Sequence, residues 1–482
     1  MTIKEEKKPD LGEKTGSVVE NQAVSEPVMP EKIPFFRGTT FQALIVAFLF
    51  FSGPGMISAL ASSLPPVRIR PNSGVGAVGA GGLKDPLLVN ITSGMQYGMN
   101  CVFAFFAGVA INILGVRGAL CFGLLCFPIR GASLYCANKF KTVWFMYFAS
   151  AIGGLTSSIL WVVQGAIILS YPEPWKKGFF ISSWYNSLSL GTLLGGIIAI
   201  AFNTKRNKAG SISPITYIPL FSLSSAAPIL AWLLSPPEKV IRADGQPVKM
   251  NRQRGPWEEA KQTLSSVKRR EIVLLLPMFI YSQWYLSYHG NFNAVYHSVR
   301  GRALGGLLHS ITGILGNITF WYMTDRSGWT RRQVARRGYY IIFSLYTSSW
   351  IYNIVVQKLY TDWKPVGLDW VEGDYWLSIV LYIYWQYAND MYQCYVYFLI
   401  GTLSTEVEEL ARYTGILKTV NTAGAAFGYA VQVKWSMLGG ASLLTGLWFA
   451  QIIPTWLVVR EVSDEEPGNE PKSTVSGSEA LA

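Results

Sequence analysis

The amino-acid sequence predicts an all-α polytopic membrane protein, a bundle of twelve transmembrane helices arranged as two sets of six. Half of its 482 residues are hydrophobic, and they fall in long apolar segments. Each segment has about the 20 mostly apolar residues that a helix needs to cross a bilayer. The main charged interruption, 236–271, lies near the middle of the chain. Because backbone polar groups must be satisfied within the segment in lipid, the segments are expected to be helices.

The predicted spans, numbered 1 to 12 in chain order, fill most of the sequence. The first six cover 40–63, 87–113, 118–137, 142–171, 179–202 and 213–234. The second six cover 272–295, 302–323, 338–357, 376–402, 411–434 and 437–459. The domains predicted from them are a disordered N-terminal tail, a six-helix half, a linker, a second six-helix half and a disordered C-terminal tail, at 1–37, 38–235, 236–271, 272–460 and 461–482.

The formal net charge of +12 would suggest nucleic acid as a partner if the protein were soluble. Here Lys and Arg are enriched in the tails and loops that share one side when the N-terminus is cytosolic. That bias sets the orientation of membrane proteins, so both termini are expected in the cytosol and no nucleic-acid partner is inferred. The five cysteines lie within spans without a CxxC or Cys/His cluster, so neither a metal site nor a cofactor is predicted.

Several local patterns predict a helix bend, close helix packing, a tight turn and an interfacial helix. The Gly-Pro-Gly sequence at 53–55 predicts a bend in span 1, either beside a cavity or for packing alone. Glycines of span 5, including Gly191, predict close helix packing. In the linker, Asp244-Gly245 predicts a tight turn, and 256–270 predicts a helix lying along the membrane interface.

The loop after span 8 carries a basic motif with one acidic residue. Asp325 and Arg326 are followed by Arg331 and Arg332, with Gly316 upstream. This resembles the Gly-x-x-x-Asp-Arg-x-Gly-Arg-Arg loop of the major facilitator superfamily, with a longer gap after the glycine and two residues inserted before the Arg pair. Such an aspartate can cap the next helix or pair with arginine, holding neighbouring helices in one of two states. The alternative is an ordinary basic cytosolic loop, and the equivalent loop at 112–118 keeps only a remnant of the motif.

Other stretches narrow the resemblance. They are Trp-Val-Val-Gln-Gly-Ala at 161–166, Ser-Tyr-Pro at 170–172, Arg-Gly-Arg-Ala-Leu at 300–304 and Asn-Asp-Met-Tyr-Gln at 389–393. Together they resemble the uncoordinated-93-like family of the major facilitator superfamily, particularly its fungal branch, over about 38–460. The resemblance implies the fold. It implies the activity less directly, because animal relatives are ion-channel regulators and trafficking chaperones, while fungal members are inferred transporters.

Three charged residues lie inside predicted spans, where a charge costs about 2.5–3.5 kcal/mol to insert. Asp390 sits near the middle of span 10 on a polar stripe, and either faces a cavity, where it could exchange a proton, or bonds to a neighbouring helix. Lys418 either reaches the surface to pair with Glu406, Glu408 or Glu409, or bridges to Asp390. Arg130 either attracts an anion or braces the helix after Pro128 by bonding freed carbonyls.

The candidate solute-cavity residues are amides, aromatic residues and the buried acid, which can fix and stack a small organic molecule. They are Gln164, Gln283, Tyr288, Asn291, Gln386, Asn389, Asp390, Gln393 and Asn421. In span 7 the same mixture equally suits an interfacial aromatic belt with hydrogen bonds between helices.

Two functions fit these patterns. The first is a secondary or facilitative transporter of a small solute, with a proton as an optional co-substrate, working by alternating access between the halves. The second is a non-transporting regulatory or chaperone subunit that recognises another membrane protein, which the degenerate first-half loop favours. The sequence contains no phosphate-binding Gly-Lys-Ser/Thr loop, HExxH motif or Ser/His/Asp set, so an enzyme is not expected.

Overall fold

The structure is a computed structural model that describes residues 34–57, 86–203, 217–245, 248 and 255–464. Apart from 34–37 and 461–464, the predicted disordered tails lie outside the described residues.

Each predicted span corresponds to helical structure. In the first half the helices are Thr39–Phe50, Pro86–Phe105, Ala107–Leu124, Cys126–Phe140, Trp144–Ser170, Lys177–Asn203 and Tyr217–Leu230. In the second half they are Arg270–Tyr296, Val299–Trp321, Arg331–Trp363, Gly373–Gly401, Val407–Lys434 and Met437–Val459. Between the halves lies the linker helix, Pro256–Val267. The part of the chain that the structure describes contains no β-strand, only isolated bridges.

Spans 2 and 3 are joined more tightly than the sequence predicts. The helix Ala107–Leu124 belongs to both spans and is kinked at Gly115, whose φ of 70° and ψ of 164° are not helical. A positive φ is readily adopted only by glycine. The predicted loop between 113 and 118 therefore shrinks to a single glycine.

The predicted bend in span 1 is present as a π-helical turn, Phe51–Gly55, which contains Pro54. At this turn span 1 crosses span 5 very closely. A Cβ placed on Gly55 would lie 2.9 Å from the Cα of Gly191 and 3.1 Å from the carbonyl oxygen of Leu188. Glycine is thus required on both sides of the crossing, which confirms the predicted packing role of Gly191.

By length and hydropathy alone, three described helical stretches qualify as membrane spans: Ala107–Ala137, Trp144–Ser170 and Met437–Val459. Two shorter apolar helices, Thr39–Gly55 and Phe221–Leu233, resemble them in composition. The other helices have lower hydropathy because they carry the polar side chains that the bundle encloses, such as the amides of span 10. A membrane helix can carry such groups where it faces protein or a cavity.

The two halves meet mainly through spans 5 and 8 and through spans 2 and 11. Near their cytosolic ends, as the predicted orientation has them, spans 4 and 11 also touch. A Cβ on Gly165 would lie 2.6 Å from Cγ2 of Thr414, and the Thr414 hydroxyl lies 3.3 Å from the carbonyl oxygen of Val162. A Cβ on Gly401 of span 10 would lie 3.1 Å from Leu169. The halves are therefore closed against each other at this end.

The linker is held against both halves. The predicted turn is present, with Gly245 at φ 69° and its N–H donating to the carbonyl of Arg242 at 3.1 Å. In the linker helix, Glu259 pairs with Arg412 of span 11 at 2.7 Å, and both side chains are buried. The opposite face presents Trp257, which is 84% exposed. This is the amphipathic arrangement that the sequence predicts for a helix at the membrane interface.

Candidate functional site

The centre of the candidate site is the carboxylate of Asp390, which is only 5% exposed. It accepts hydrogen bonds from the amides of Gln386 at 2.8 Å, Asn389 at 3.3 Å and Asn317 of span 8 at 3.5 Å. Span 8 can approach so closely because Gly313 faces the carboxylate, and any side chain there would overlap it. Among the described residues no lysine, arginine or histidine lies within ion-pair distance of Asp390. Among the described residues, the hydrogen bonds to this buried carboxyl group thus come from amides.

The amides around Asp390 extend into a network that includes spans 5, 7 and 9. The Asn389 amide donates to Tyr285 Oη at 2.9 Å and accepts from Tyr346 at 3.4 Å. The Gln393 amide donates to the carbonyl of Ser282 and, at 3.4 Å, to Asn389. The hydroxyl of Tyr185 donates to Gln393 Oε1 at 3.5 Å. This last contact joins the two halves at the level of the buried acid.

Lys418 lies on an aromatic ring rather than beside the glutamates at the start of its span. Its ammonium is 4.4 Å from the ring centroid of Trp161, and the residue is 4% exposed. Within the described residues no carboxylate comes within ion-pair distance of it. Glu409, one of the expected partners, instead pairs with Arg269 at 3.1 Å. The expected pairing with the glutamates is thus not observed, because a cation–π contact takes its place.

The Trp-Val-Val-Gln-Gly-Ala stretch presents one face to span 11. Trp161 supports Lys418, and one turn later Gly165 admits Thr414. Between them Gln164 is fully buried, and neither its Nε2 nor its Oε1 has a hydrogen-bond partner among the described residues. Buried amides are nearly always paired, so this unpaired amide at the junction of the halves is a candidate ligand contact.

Aromatic rings line the same junction. Phe50 of span 1 lies 5.4 Å from Trp161 and 5.7 Å from Trp184, and the two tryptophans are 6.0 Å apart. Tyr397 of span 10 completes the group at 5.1 Å from Trp184. These edge-to-face contacts form an apolar wall with contributions from both halves.

Other candidates are placed away from this junction. Tyr288 donates to Asn353 at 3.0 Å and Gln357 at 2.9 Å, both on span 9, so it stabilises the second half internally. Gln283 is half-buried and Asn291 is buried, and no contact among the described residues connects either to Asp390. Span 7 therefore contributes Ser282 and Tyr285 to the network instead.

Arg130 bonds to a side chain rather than to freed backbone carbonyls. Its guanidinium donates to Oε1 of Gln96 in span 2. The neighbouring Tyr97 stacks on Tyr429 of span 11, with ring centroids 5.9 Å apart and planes inclined by 29°. Arg130 thus supports the part of span 2 that contacts the second half, and the expected bracing of a helix break is not observed.

The loop after span 8 reaches the other half of the bundle. Asp325 accepts backbone hydrogen bonds from Gly178 at 3.0 Å and Phe179 at 2.6 Å, in the first turn of span 5. Burial raises the pKa of Asp325 to about 6, although these two N–H groups act to lower it. The next helix is capped instead by Thr330, in a capping box with Gln333. The aspartate therefore caps a helix of the opposite half rather than the helix that follows it.

The arginines of this loop have separate partners. Arg326 lies 5.5 Å from the ring centroid of Trp321, and Arg331 donates to the carbonyl of Thr402 at 2.6 Å. The backbone N–H of Arg332 donates to Asp464 at 2.8 Å. A cavity of about 310 Å³ opens beside Asp325 between the two halves. In the first-half loop, Arg117 donates to the carbonyl of Leu234 at 2.7 Å, and no acidic residue stands in 112–118.

Sequence reasoning missed some members of the site. Asn317 donates to Asp390 and accepts from the thiol of Cys394 at 3.2 Å. In the sequence it is notable only as part of Asn-Ile-Thr, a match to the glycosylation pattern. The small residues Gly313 and Gly316, at helical spacing before it, could have indicated that this face of span 8 packs closely on span 10. Phe50 gave no signal beyond its place ahead of the Gly-Pro-Gly bend.

Both the sequence and the fold are similar to those of known membrane proteins. The sequence profile of the Major Facilitator Superfamily matches residues 40–429. Two solved structures have the same fold at low identity: the transporter FucP in its outward conformation, with a TM-score of 0.60 at 9% identity, and the proton:xylose symporter XylE, with 0.60 at 14%. They cover 87% and 89% of this chain, which covers 98% and 96% of theirs. The chain belongs to the Major Facilitator Superfamily, and the predicted bundle of twelve spans is confirmed.

Within the superfamily its relatives are UNC93-like. The chain is 30% identical to an UNC93-like protein of Schizosaccharomyces pombe, over 80% of this chain and 75% of the relative. It is 28% identical to UNC93-like protein 1 of Arabidopsis thaliana, over 90% and 91%. It is also 30% identical, over the same shares, to Notoamide biosynthesis cluster protein O' of Aspergillus versicolor. The chain is an UNC93-like, integral multi-pass membrane protein with fungal relatives, as its motifs predict.

Proposed function

We propose that the protein is a secondary transporter that carries a small solute by alternating access, with Asp390 binding a proton during the cycle. One observation carries the proposal. The buried carboxylate of Asp390 has three amide donors and no cation among the described residues. A charge buried in this way is costly unless a counter-charge from solution joins it. A proton or a cationic group of a solute can supply that charge.

The surroundings of Asp390 support this role. The titratable groups that face it from neighbouring helices are Tyr185, Tyr285 and Tyr346, and Cys394 lies on its own helix. None of these groups is a cation, so none competes with a proton for the carboxylate. The Tyr185–Gln393 contact joins this region to the first half, and a movement between the halves would change the surroundings of the acid.

Orientation and domain limits are part of the proposal. We place both termini in the cytosol, with halves 38–235 and 272–460 moving about a cytosolic linker. The distribution of Lys and Arg supports this orientation. In it, the Asp325 contact closes the cytosolic side. Protease accessibility of terminal tags in sealed cells tests it, and digestion of either tag from outside would contradict it.

A second candidate function is a regulatory subunit for another membrane protein. One observation favours it: the loop at 112–118 has no counterpart of Asp325, so the first half lacks the corresponding cap across the bundle. A regulator would keep the fold without a solute cycle. No enzymatic activity is proposed, because the family's fold serves transport and the buried polar groups described here match a solute site.

Solute-dependent proton movement in proteoliposomes separates the two functions. Purified protein is reconstituted with a pH-sensitive dye inside, and sugars, amines and carboxylates are added in turn. We expect at least one solute to drive proton entry, and Asp390→Asn to abolish it. Asp374→Asn, an exposed acid in the first turn of the same span, is the matched control. If no solute moves protons, transport is contradicted and the regulatory role remains.

A further inference from the structure

The second unusual charge in the bundle is Lys418, which has no described acidic partner. Its ammonium lies 4.4 Å from the ring centroid of Trp161, and the residue is only 4% exposed to solvent. A ring face offsets only part of the free energy that removing an ion from water costs. The site around Lys418 is therefore short of negative charge.

Several polar groups in the helix turns and rings that adjoin the Lys418–Trp161 contact are buried and unpaired, and most of them are donors. Gln164 stands one turn after Trp161, and both atoms of its amide lack a partner among the described residues. The same holds for the indole N–H of Trp184 and the hydroxyl of Tyr397, whose rings are 5.1 Å apart. Asn421, one turn after Lys418, contributes one unpaired acceptor. Several donors grouped with an ammonium are the complement of a carboxylate.

The surroundings of these donors are aromatic. Phe50 and Trp161 lie 5.4 Å apart, and Trp184 packs edge-on against both. Flat apolar walls of this kind bind the planar or apolar body of a small molecule, while the polar groups fix its orientation. The ammonium of Lys418 thus lies at a cluster of aromatic rings.

We infer that the solute is an organic anion, a carboxylate with an aromatic or other planar apolar body, and that Lys418 binds its carboxylate. The inference rests on the proposed transport function, and it assigns the two buried charges different tasks. Lys418, with Gln164 and Trp184, binds the solute's charge, while Asp390 carries the proton. A carboxylate and a proton moving together carry no net charge, so this transport step is electroneutral.

Binding to purified protein in nanodiscs tests the inference without requiring transport. The probes are phenylacetate against phenylacetamide, and indole-3-acetate against indole-3-acetamide, which differ in charge but hardly in shape. We expect each acid to bind at least about tenfold more tightly than its amide, because charge-assisted bonds are stronger than neutral ones. Lys418→Gln should abolish this preference, and Lys418→Arg should retain most of it. Lys268→Gln, on the exposed end of the linker helix, is the matched control.

Three outcomes would overturn the inference. They are equal binding of acid and amide, no binding of either acid, and an unchanged preference in a well-folded Lys418→Gln protein. If Lys418→Gln does not yield a monodisperse protein, Gln164→Leu gives the same test by removing one unpaired donor, and it should weaken binding of the acids alone. If sugars or amines drive proton entry in proteoliposomes and the acids do not, the transport function stands and the anion assignment fails.

Discussion

The carboxylate of Asp325 lies 2.6 Å from the backbone nitrogen of Phe179 and so joins the second half of the bundle to the first turn of span 5. The N-terminus of a helix has unpaired backbone N–H groups, from which the oxygens of a carboxyl group can accept hydrogen bonds. The same carboxylate bonds to the N–H of Gly178 at 3.0 Å. A single side chain thus acts as a cap across the halves, and it holds only while they are closed.

Removing this cap should loosen this end of the bundle, which lies on the cytosolic side in the proposed orientation. We expect Asp325→Ala to increase, several-fold, the rate at which a cysteine introduced at Leu169 reacts with a membrane-impermeant maleimide. The assay uses inside-out vesicles and a background without the five native cysteines. Arg270→Ala, at an exposed position, should leave the rate unchanged. Equal rates in wild type and Asp325→Ala would show that the cap does not hold the halves together.

The same residue should make closure depend on cytosolic pH. Burial raises the pKa of Asp325 from 3.8 to about 6, so the closed state binds a proton more tightly than an open state in which the carboxylate is hydrated. Protonation therefore favours closure below about pH 6, and this contribution is lost as the pH rises through that value. The charged groups that line the same cavity are Lys177, Arg331 and Asp464.

Labelling at the Leu169 position should accordingly be slower at about pH 5 than at about pH 7.5, after correction for the pH dependence of the maleimide reaction itself. Asp325→Asn cannot titrate and should remove the difference. A pH dependence that persists in Asp325→Asn would assign the effect to another group.

Close helix crossings should be intolerant of a single methyl group. A Cβ on Gly424 of span 11 would overlap the backbone oxygen of Ile280 in span 7, and a backbone cannot move aside as a flexible side chain can. Overpacking of this kind costs about 1–3 kcal/mol, so Gly424→Ala should lower the apparent Tm of the purified protein. Gly446→Ala in span 12 meets nothing within 4 Å and is the matched control. Equal Tm values would contradict the crossing.

The buried ion pair of the linker helix should matter more than an exposed one. Glu259 and Arg412 are 2.7 Å apart with side chains 2% and 5% exposed, whereas Arg270 and Glu461 are 2.9 Å apart and 60% and 39% exposed. Removing one partner of a buried pair costs about 3–5 kcal/mol, and an exposed pair is worth at most about 1. Glu259→Gln should therefore lower Tm clearly more than Glu461→Gln. A similar fall in both would show that Glu259 is hydrated.

Much of the fold could be predicted from the sequence because the bilayer imposes a length and a composition on each helix. Spans 5 and 10, despite their polar residues, run Lys177–Asn203 and Gly373–Gly401, close to the predicted limits. The connection at Gly115 could not be predicted, because a one-residue kink depends on a backbone angle that composition does not reveal. The partner of Asp325 lies 146 residues away, beyond the reach of local patterns.

The candidate site, too, could be predicted only in part from the sequence. That Asp390 and Gln393 share a stripe follows from helical spacing, and the structure places them in one network. Which side chain faces Lys418 depends on how spans 4 and 11 pack, and the sequence pointed to nearby glutamates instead of Trp161. Charge attraction along one helix is visible in a sequence, whereas a cation–π contact between helices of different halves is not.

The account depends on Asp390 binding and releasing a proton as the two halves alternate between states open to opposite sides of the membrane. Proteoliposomes with an imposed inward proton gradient test this most directly, with uptake of radiolabelled phenylacetate and of a sugar and an amine as readouts. We predict that at least one solute accumulates in wild type, and that Asp390→Asn stops accumulation but keeps exchange of the same solute between equal concentrations. The account would be contradicted if Asp390→Asn accumulated the solute as fast as wild type and Asp374→Asn do, and with the same pH dependence.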